Sequence, residues 1–440
     1  MTKQINRREF SLLAGITIAT GAGIAKTYAK NEKLRVAAIG AGGQAGGGIS
    51  AGLAEHLVAV AEVDLDGRGK DNIKKVREKS PDTKIYTDYR KLFDEHKDLD
   101  VVWIGTPDHH HFPAAIRVLL NGAGVYCEKP LTWSVAEARK LREVANAKKL
   151  PTQMGNQGHS SESIRLICEY IQDGSLGDVT SVDCISNRGF SAGKRPASKP
   201  VPAGLDWECW LGPAAFREYH DGLHPFNWRG TLEFGSGSLG DMGCHTIDGA
   251  VWGLKLTEVD SFDVEAVMAP PTEEGFPSKA KIVYTFPKRG DMVPVSLTWY
   301  HGGLLPTKPD ALGEEKIRAE GAYYHGSKGL MTSGSHCGDV KLLPQAFQEK
   351  TPKPKLIIPR SKHGHSGDLF AACRDKTAPA PSSQFDYSAR LTEIVLLGNI
   401  ACLVGEKITY NMKDGKTNNA KANALLVRNP RKGWTLGYDV

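Results

Sequence analysis

At 440 residues the chain is long enough for two or three domains with sizeable cores, and its 40% hydrophobic and 24% charged residues are ordinary for a globular protein. The net charge is +6, and half of that surplus comes from Lys3, Arg7, Arg8 and Lys26 against Glu9 in residues 1–29. What remains is too weak, and too little clustered, to argue for a nucleic-acid partner.

Residues 1–29 read as a targeting segment. Asn6-Arg7-Arg8-Glu9-Phe10-Ser11-Leu12 is a twin-arginine pattern, the run 11–25 is uncharged, and Thr27-Tyr28-Ala29 offers small residues for cleavage. The run is rich in Ala, Gly and Thr, too weakly apolar to predict a spanning helix. The expectation is export to the periplasm through the twin-arginine machinery, with the leader either cut or kept as a membrane tether. A chance Arg-Arg before a weak helix is the other reading. That pathway carries folded proteins, which suits an enzyme that loads its cofactor in the cytoplasm.

Residues 33–157 alternate strands and helices. The apolar run 34–39 leads into Gly40-Ala41-Gly42-Gly43-Gln44-Ala45-Gly46. As a dinucleotide fingerprint, Gly40 makes the tight turn, Gly42 admits a pyrophosphate, and Ala45 takes the third, small position. The helix that follows offers its N-terminus to phosphate. A second strand, 57–63, ends in Glu62 and Asp64, 22 and 24 residues after Gly40, where an acid can bind the adenosine ribose and favour NAD over NADP. Glu62 at the strand tip is the preferred acid, Asp64 the second; exposed acids on an ordinary turn are the alternative.

Residues 89–96 read as a short helix and 101–105 as a buried strand ending in Thr106-Pro107-Asp108-His109-His110-His111. Adjacent histidines point different ways, so this is read as a loop beside the cofactor and not as a metal site. Helix 112–121 and strand Gly124-Val125-Tyr126-Cys127 follow, then Glu128-Lys129-Pro130 at the strand's carboxyl end, where open α/β sheets hold ligands. Proline restrains the backbone there, so Lys129 is a positioned proton-exchanging group or, alternatively, a surface lysine. Ser134-Val135-Ala136-Glu137 matches a capping box, continued as an amphipathic helix, and a short strand from Pro151 ends at Gly155-Asn156-Gln157.

Residues 158–440 have a different texture. One helix through Ile164, Ile167 and Ile171 closes at Gly174; strands at 179–186, 262–268, 280–286 and 293–300 then dominate, and 387–404 reads as an amphipathic helix. The fold class is α/β: a doubly wound Rossmann domain, then an α+β domain with a largely antiparallel open sheet. The long segment 189–240 interrupts the second domain. It carries Trp207, Trp210, Tyr219, Phe226 and Trp228 with His220, His224 and Arg229, a mixture suited either to a sugar site, with His220, His224, Trp228 and Arg229 as contacts, or to a second core. Asp241 and His245, four residues apart, share a helix face as an acid–base pair, or else as a cap and a buried histidine. The eight cysteines show no Cys-x-x-Cys pair or zinc spacing and read as small buried hydrophobes.

Glycine loop, Glu128-Lys129-Pro130 and Asp241-x-Gly243-x-His245, in this order and spacing, resemble the Gfo/Idh/MocA oxidoreductases; Thr106-Pro107 through His111 and Gly155-Asn156-Gln157 fit the same pattern. The resemblance spans about residues 34 to 405, and 228–245 looks like the exported, carbohydrate-active branch. It implies hydride transfer between a sugar carbon and NAD. Gly40, Gly42, Gly43, Gln44, Ala45, Glu62, Asp64, Thr106, Pro107, His111, Glu128, Lys129, Asn156 and Gln157 would attend the cofactor. Lys129 and His245 would lie on the substrate hydroxyl, one of them taking its proton, with Asp241 orienting or binding. It also implies a homo-oligomer formed through the C-terminal sheet. Two other functions stay open: a glycosidase that oxidises, eliminates and re-reduces on bound NAD, and a non-catalytic sugar-binding shell.

Overall fold

The computed structural model describes residues 32–270 and 272–438; the leader read at 1–29 lies outside them. Six short strands form the first sheet: β1 Arg35–Ile39, β2 His56–Ala61, β3 Lys84–Tyr86, β4 Val101–Ile104, β5 Gly124–Cys127 and β6 Thr152–Met154. All pair in parallel, in the order β3-β2-β1-β4-β5-β6. β1, β4 and β5 are almost wholly buried because helices cover both faces, which is why they read as unbroken apolar runs. Between β1 and β4 the strand order reverses, and the loops after both strands open a crevice there.

Local signals set the connections. Ser134 and Glu137 form the expected capping box on helix Val135–Lys148, and Gly122 closes helix His111–Asn121 with φ +86°. Helix Lys70–Lys79 and strand β3 were not legible from the apolar pattern.

The second sheet has nine strands: β7 Val179–Ser186, β8 Ser261–Met268, β9 Ala280–Phe286, β10 Val295–His301, β11 Gly321–Gly326, β12 Leu330–Ser333, β13 Lys341–Leu343, β14 Ile408–Asn411 and β15 Lys416–Thr417. Their order is β13-β12-β11-β7-β10-β9-β8-β14-β15, and only β7 and β10 pair in parallel. In β9, Ala280, Ile282, Tyr284 and Phe286 face the core while the residues between them face outward. Helix Phe385–Val404 fills the space between this sheet and the first domain, packing on helices Val135–Lys148 and Gly237–Thr246. It is long and apolar enough to cross a membrane, but 72% of its most apolar window is buried inside the protein. The eight cysteines are all free, six of them buried.

The segment 189–240 is mostly irregular, with a short helix Trp207–Leu211 and a single 3-10 turn Asn227–Gly230. Leu205, Trp207, Trp210, Leu211, Tyr219, Leu223, Trp228 and Phe234 cluster into a separate small core. The consecutive histidines dock it: the rings of His109 and His110 both reach the Trp210 carbonyl, at 2.9 and 2.8 Å. Asp206 N–H donates to the Val63 carbonyl at 2.9 Å, so the segment also straps over the end of β2.

Candidate active site

The crevice at the strand-order reversal continues into one cleft of about 510 Å³ that runs from the glycine loop to helix Gly237–Thr246. At one end Gly40 has φ +92°, and a Cβ there would lie 3.0 Å from the Gly105 carbonyl oxygen, so only glycine fits. Gly42 and Gly43 face the cleft, with Arg68 against both. Glu62 is anchored by the N–H groups of Ala41 (2.6 Å) and Asp64 (3.0 Å), with its side chain on the cleft wall. Burial raises its carboxyl above the usual range despite those bonds. Thr106, Pro107, Glu128 and Gln157 line the middle. Two buried oxygens there, Thr106 Oγ1 and Glu128 Oε2, have no hydrogen-bond partner among the described residues. Burial, only partly offset by the Lys129 charge, pushes the Glu128 carboxyl up to about 7.

At the other end the two domains meet through a charge cluster. Lys129, after β5, donates from Nζ to the Asp241 carbonyl at 2.7 Å and to its carboxylate at 2.9 Å. The Lys129–Pro130 peptide is cis. Arg188 and Arg229 reach the same carboxylate, at 2.9 and 3.3 Å. Burial alone would raise Asp241, but Lys129, Arg229 and Arg188 outweigh it and lower it to about 2. Asp241 and His245 ride on helix Gly237–Thr246, every residue of which is buried. Its glycines allow that depth: a Cβ on Gly243 would come 3.1 Å from Val395 of the core helix. His245 lines the cleft, its ring tilted against that of His336 at 4.2 Å between centroids, and its buried Nδ1 has no hydrogen-bond partner among the described residues. Burial, then the nearby Lys129, hold His245 well below 6.5, so its imidazole is neutral.

The structure brings Gly40, Gly42, Gly43, Gln44, Glu62, Asp64, Thr106, Pro107, Glu128, Lys129, Gln157, Asp241, His245, His224, Trp228 and Arg229 to this one cleft, but several of the expected roles need correction. Ala45 packs beneath Gly105 and does not line the cleft; its small size lets strand and helix approach. His111 lies behind it, its ring bridging the Pro130 and Thr106 carbonyls at 2.7 and 3.0 Å. Asn156 is fully buried, donating to Asp248 at 2.9 Å and accepting from Ser383. His220 is not a sugar contact: it is buried outside the cleft, against Arg217 and the Asp221 carbonyl. His224 is not at the sugar end either; it binds Asp64 at 2.7 Å, which leaves Glu62 as the available acid. Tyr219 stands edge-on to Trp207 in the small core, whereas Phe226 lines the cleft with Arg68 and Arg229 both over its ring. Sequence reasoning missed Arg68, Arg188 and His336, all of which line the cleft. Arg188 had one signal, its place just past the end of β7; Arg68 and His336 sit in loops without any pattern.

Fold and site together define a Rossmann domain of the dinucleotide-binding type joined to an α+β domain. Residues 34–156 match the pattern described as "Oxidoreductase family, NAD-binding Rossmann fold", and residues 165–293 match that family's "C-terminal alpha/beta domain". The chain belongs to the Gfo/Idh/MocA oxidoreductase family. Among curated relatives, it is 35% identical over 141 residues to D-xylose 1-dehydrogenase (NADP(+)) of Hypocrea jecorina, covering 32% of this chain and 33% of that protein. It is 27% identical over 163 residues to levoglucosan dehydrogenase of Pseudarthrobacter phenanthrenivorans, covering 37% of this chain and 34% of that protein. The chain thus matches about a third of the length of each. The WlbA dehydrogenase of Bordetella pertussis, solved with NADH and UDP-GlcNAcA, shares the fold with a TM-score of 0.58 at 13% identity, covering 86% of this chain and 98% of that one.

Proposed function

We propose that this protein is an exported, NAD-dependent dehydrogenase that oxidises a ring hydroxyl of a sugar or glycoside to a ketone. The observation that carries the proposal is the convergence of Lys129, Asp241 and His245 at one end of a cleft whose other end is the glycine loop. Both relatives named above are, by name, dehydrogenases of sugars. Redox-neutral glycoside cleavage draws no support from them and is not proposed.

The cleft fits NAD. Gly40, Gly42 and Gly43 leave room for a pyrophosphate beside Arg68, Glu62 stands where it can hold a ribose, and Thr106 Oγ1 and Glu128 Oε2 are polar atoms still to be satisfied. Glu62 would oppose a 2′-phosphate, favouring NAD over NADP. Bound NAD supplies a hydride acceptor for the carbinol carbon. The rest falls to the chain. Lys129 has three N–H donors and commits two to Asp241, leaving one for the substrate oxygen. Neutral His245 takes the hydroxyl proton as the hydride departs. Asp241 stays ionised and holds Lys129 in place. The strap from 189–240 shields the site from water. Steady-state kinetics of Lys129→Ala and His245→Ala test these roles. Each should lose about 10² or more in turnover while NAD stays bound. Near-normal turnover in either variant would remove its role.

A further inference from the structure

Building on the dehydrogenase reading, we propose that the substrate is an acidic sugar, whose anionic group is bound by Arg188 and Arg229. Three permanent cations, Lys129, Arg188 and Arg229, converge on the single carboxylate of Asp241. The anion lies at the base of the cluster, with its side chain 6% exposed, while the Arg188 and Arg229 side chains are 38% and 20% exposed and line the cleft. Both guanidinium groups therefore keep part of their surface open to the cleft.

The nearby acids do not balance this charge. Glu320 also pairs with Arg188, at 3.8 Å, so two such carboxylates face three cations. Asp108 is buried and takes the Ser236 hydroxyl; burial raises both it and Glu128, which disfavours their ionised forms. His245 and His336 add no charge, since burial lowers both. The cluster thus carries more cation than anion in a partly dry cleft, and a surplus of one sign is costly there.

Donor counts agree. Each guanidinium has five N–H groups in a fixed fork that matches carboxylate or phosphate. Arg188 spends Nη1 on Asp241 and turns Nε towards Glu320. Arg229 spends one on Asp241 and one on the Phe226 carbonyl. Neither Nη2 meets a hydrogen-bond partner among the described residues. Arg229 also lies over the rings of Phe226 and Trp228, at 4.4 and 4.3 Å from their centres, and these contacts restrain its fork before any ligand arrives. The cation beside the glycine loop is a different one, Arg68, which lies against Gly42 and Gly43. The anion that Arg188 and Arg229 await is therefore the substrate's.

The test uses the NAD-loaded protein and matched methyl glycosides, methyl glycuronides and sugar 6-phosphates of the gluco, galacto and manno series. NADH formation is the readout. In the best series, the glucuronide-type or the phosphate substrate should exceed the neutral glycoside in kcat/KM by at least about tenfold, with the margin shrinking as salt rises. Which of the two anions is preferred identifies the group as carboxylate or phosphate. Arg188→Gln and Arg229→Gln should each reduce the anionic-to-neutral ratio by roughly 10- to 100-fold, the scale of one charge-assisted contact, while NAD affinity holds. A neutral glycoside that matches or beats its anionic partners overturns the proposal and leaves the dehydrogenase reading standing. So does a ratio unchanged in both variants. If no probe reduces NAD, calorimetric binding to the NADH-loaded protein decides: tighter binding of the anions supports the proposal, and no preference overturns it.

Discussion

Replacing Glu128 by glutamine should make the NAD-free protein more resistant to neutral pH, even though the residue belongs to the motif that marks the site. Glu128 is 7% exposed, its Oε2 has no hydrogen-bond partner among the described residues, and burial against only partial help from Lys129 lifts its carboxyl from 4.5 to about 7. The folded protein therefore holds a proton that the unfolded chain releases as pH rises from 4.5 towards 7. Stability tied to this group is fully present below pH 4.5 and is lost as pH climbs through about 7. At about 1.4 kcal/mol per pH unit, the loss amounts to about 3 kcal/mol. Glutamine keeps the shape and cannot ionise. The melting temperature of Glu128→Gln minus that of the wild type should thus rise by several degrees between pH 4.5 and pH 8, since each kcal/mol is worth roughly 2–4 °C in a domain of this class. Scanning calorimetry across that range is the assay. A difference that stays flat with pH would show that Glu128 ionises normally and would refute this reasoning.

Asp241 should act in the opposite sense. Its folded value of about 2 lies below 3.8, so its contribution is present above pH 3.8 and lost as pH falls towards 2; Asp241→Asn should cost about 2 kcal/mol at pH 7 in denaturation, and that gap should narrow only in this acid window. His224→Ala should free Asp64 and loosen the strap over β2, speeding NAD release measured by cofactor exchange, with little change in kcat; unchanged release would separate the strap from cofactor retention. Replacing Arg7 and Arg8 by lysine should leave the protein in the cytoplasmic fraction of expressing cells, and unaltered export would refute the twin-arginine reading of the leader.

What the sequence revealed depended on how local each signal was. The Rossmann domain was legible because buried parallel strands leave unbroken apolar runs and because Gly40, Ser134 and Gly122 answer purely local needs of turn and cap. Lys129, Asp241 and His245 were legible because each sits in a short motif. The later strands β11 to β15 were not, since four of the five span only two to four residues, too short for an alternating pattern to show. The segment 189–240 was only half legible. Its aromatics announced burial, but the split between core residues such as Tyr219 and cleft residues such as Phe226 arises from where His109 and His110 dock Trp210. His220 and His224 resemble sugar contacts in sequence, yet Arg217 and Asp64 occupy them, and such long-range pairings leave no trace in spacing. Arg188 and His336 reach the cleft from loops of the second domain, which composition alone does not single out.

The most direct test of the central claim is the absorbance of the purified, NAD-loaded protein in the NADH band as a panel of neutral and acidic sugars is added. The account predicts that at least one sugar produces NADH together with an equal amount of keto product, and that Lys129→Ala and His245→Ala bind NAD but produce neither. Release of a free sugar from a glycoside with no lasting NADH, or a panel that binds without any reduction of NAD, would contradict it.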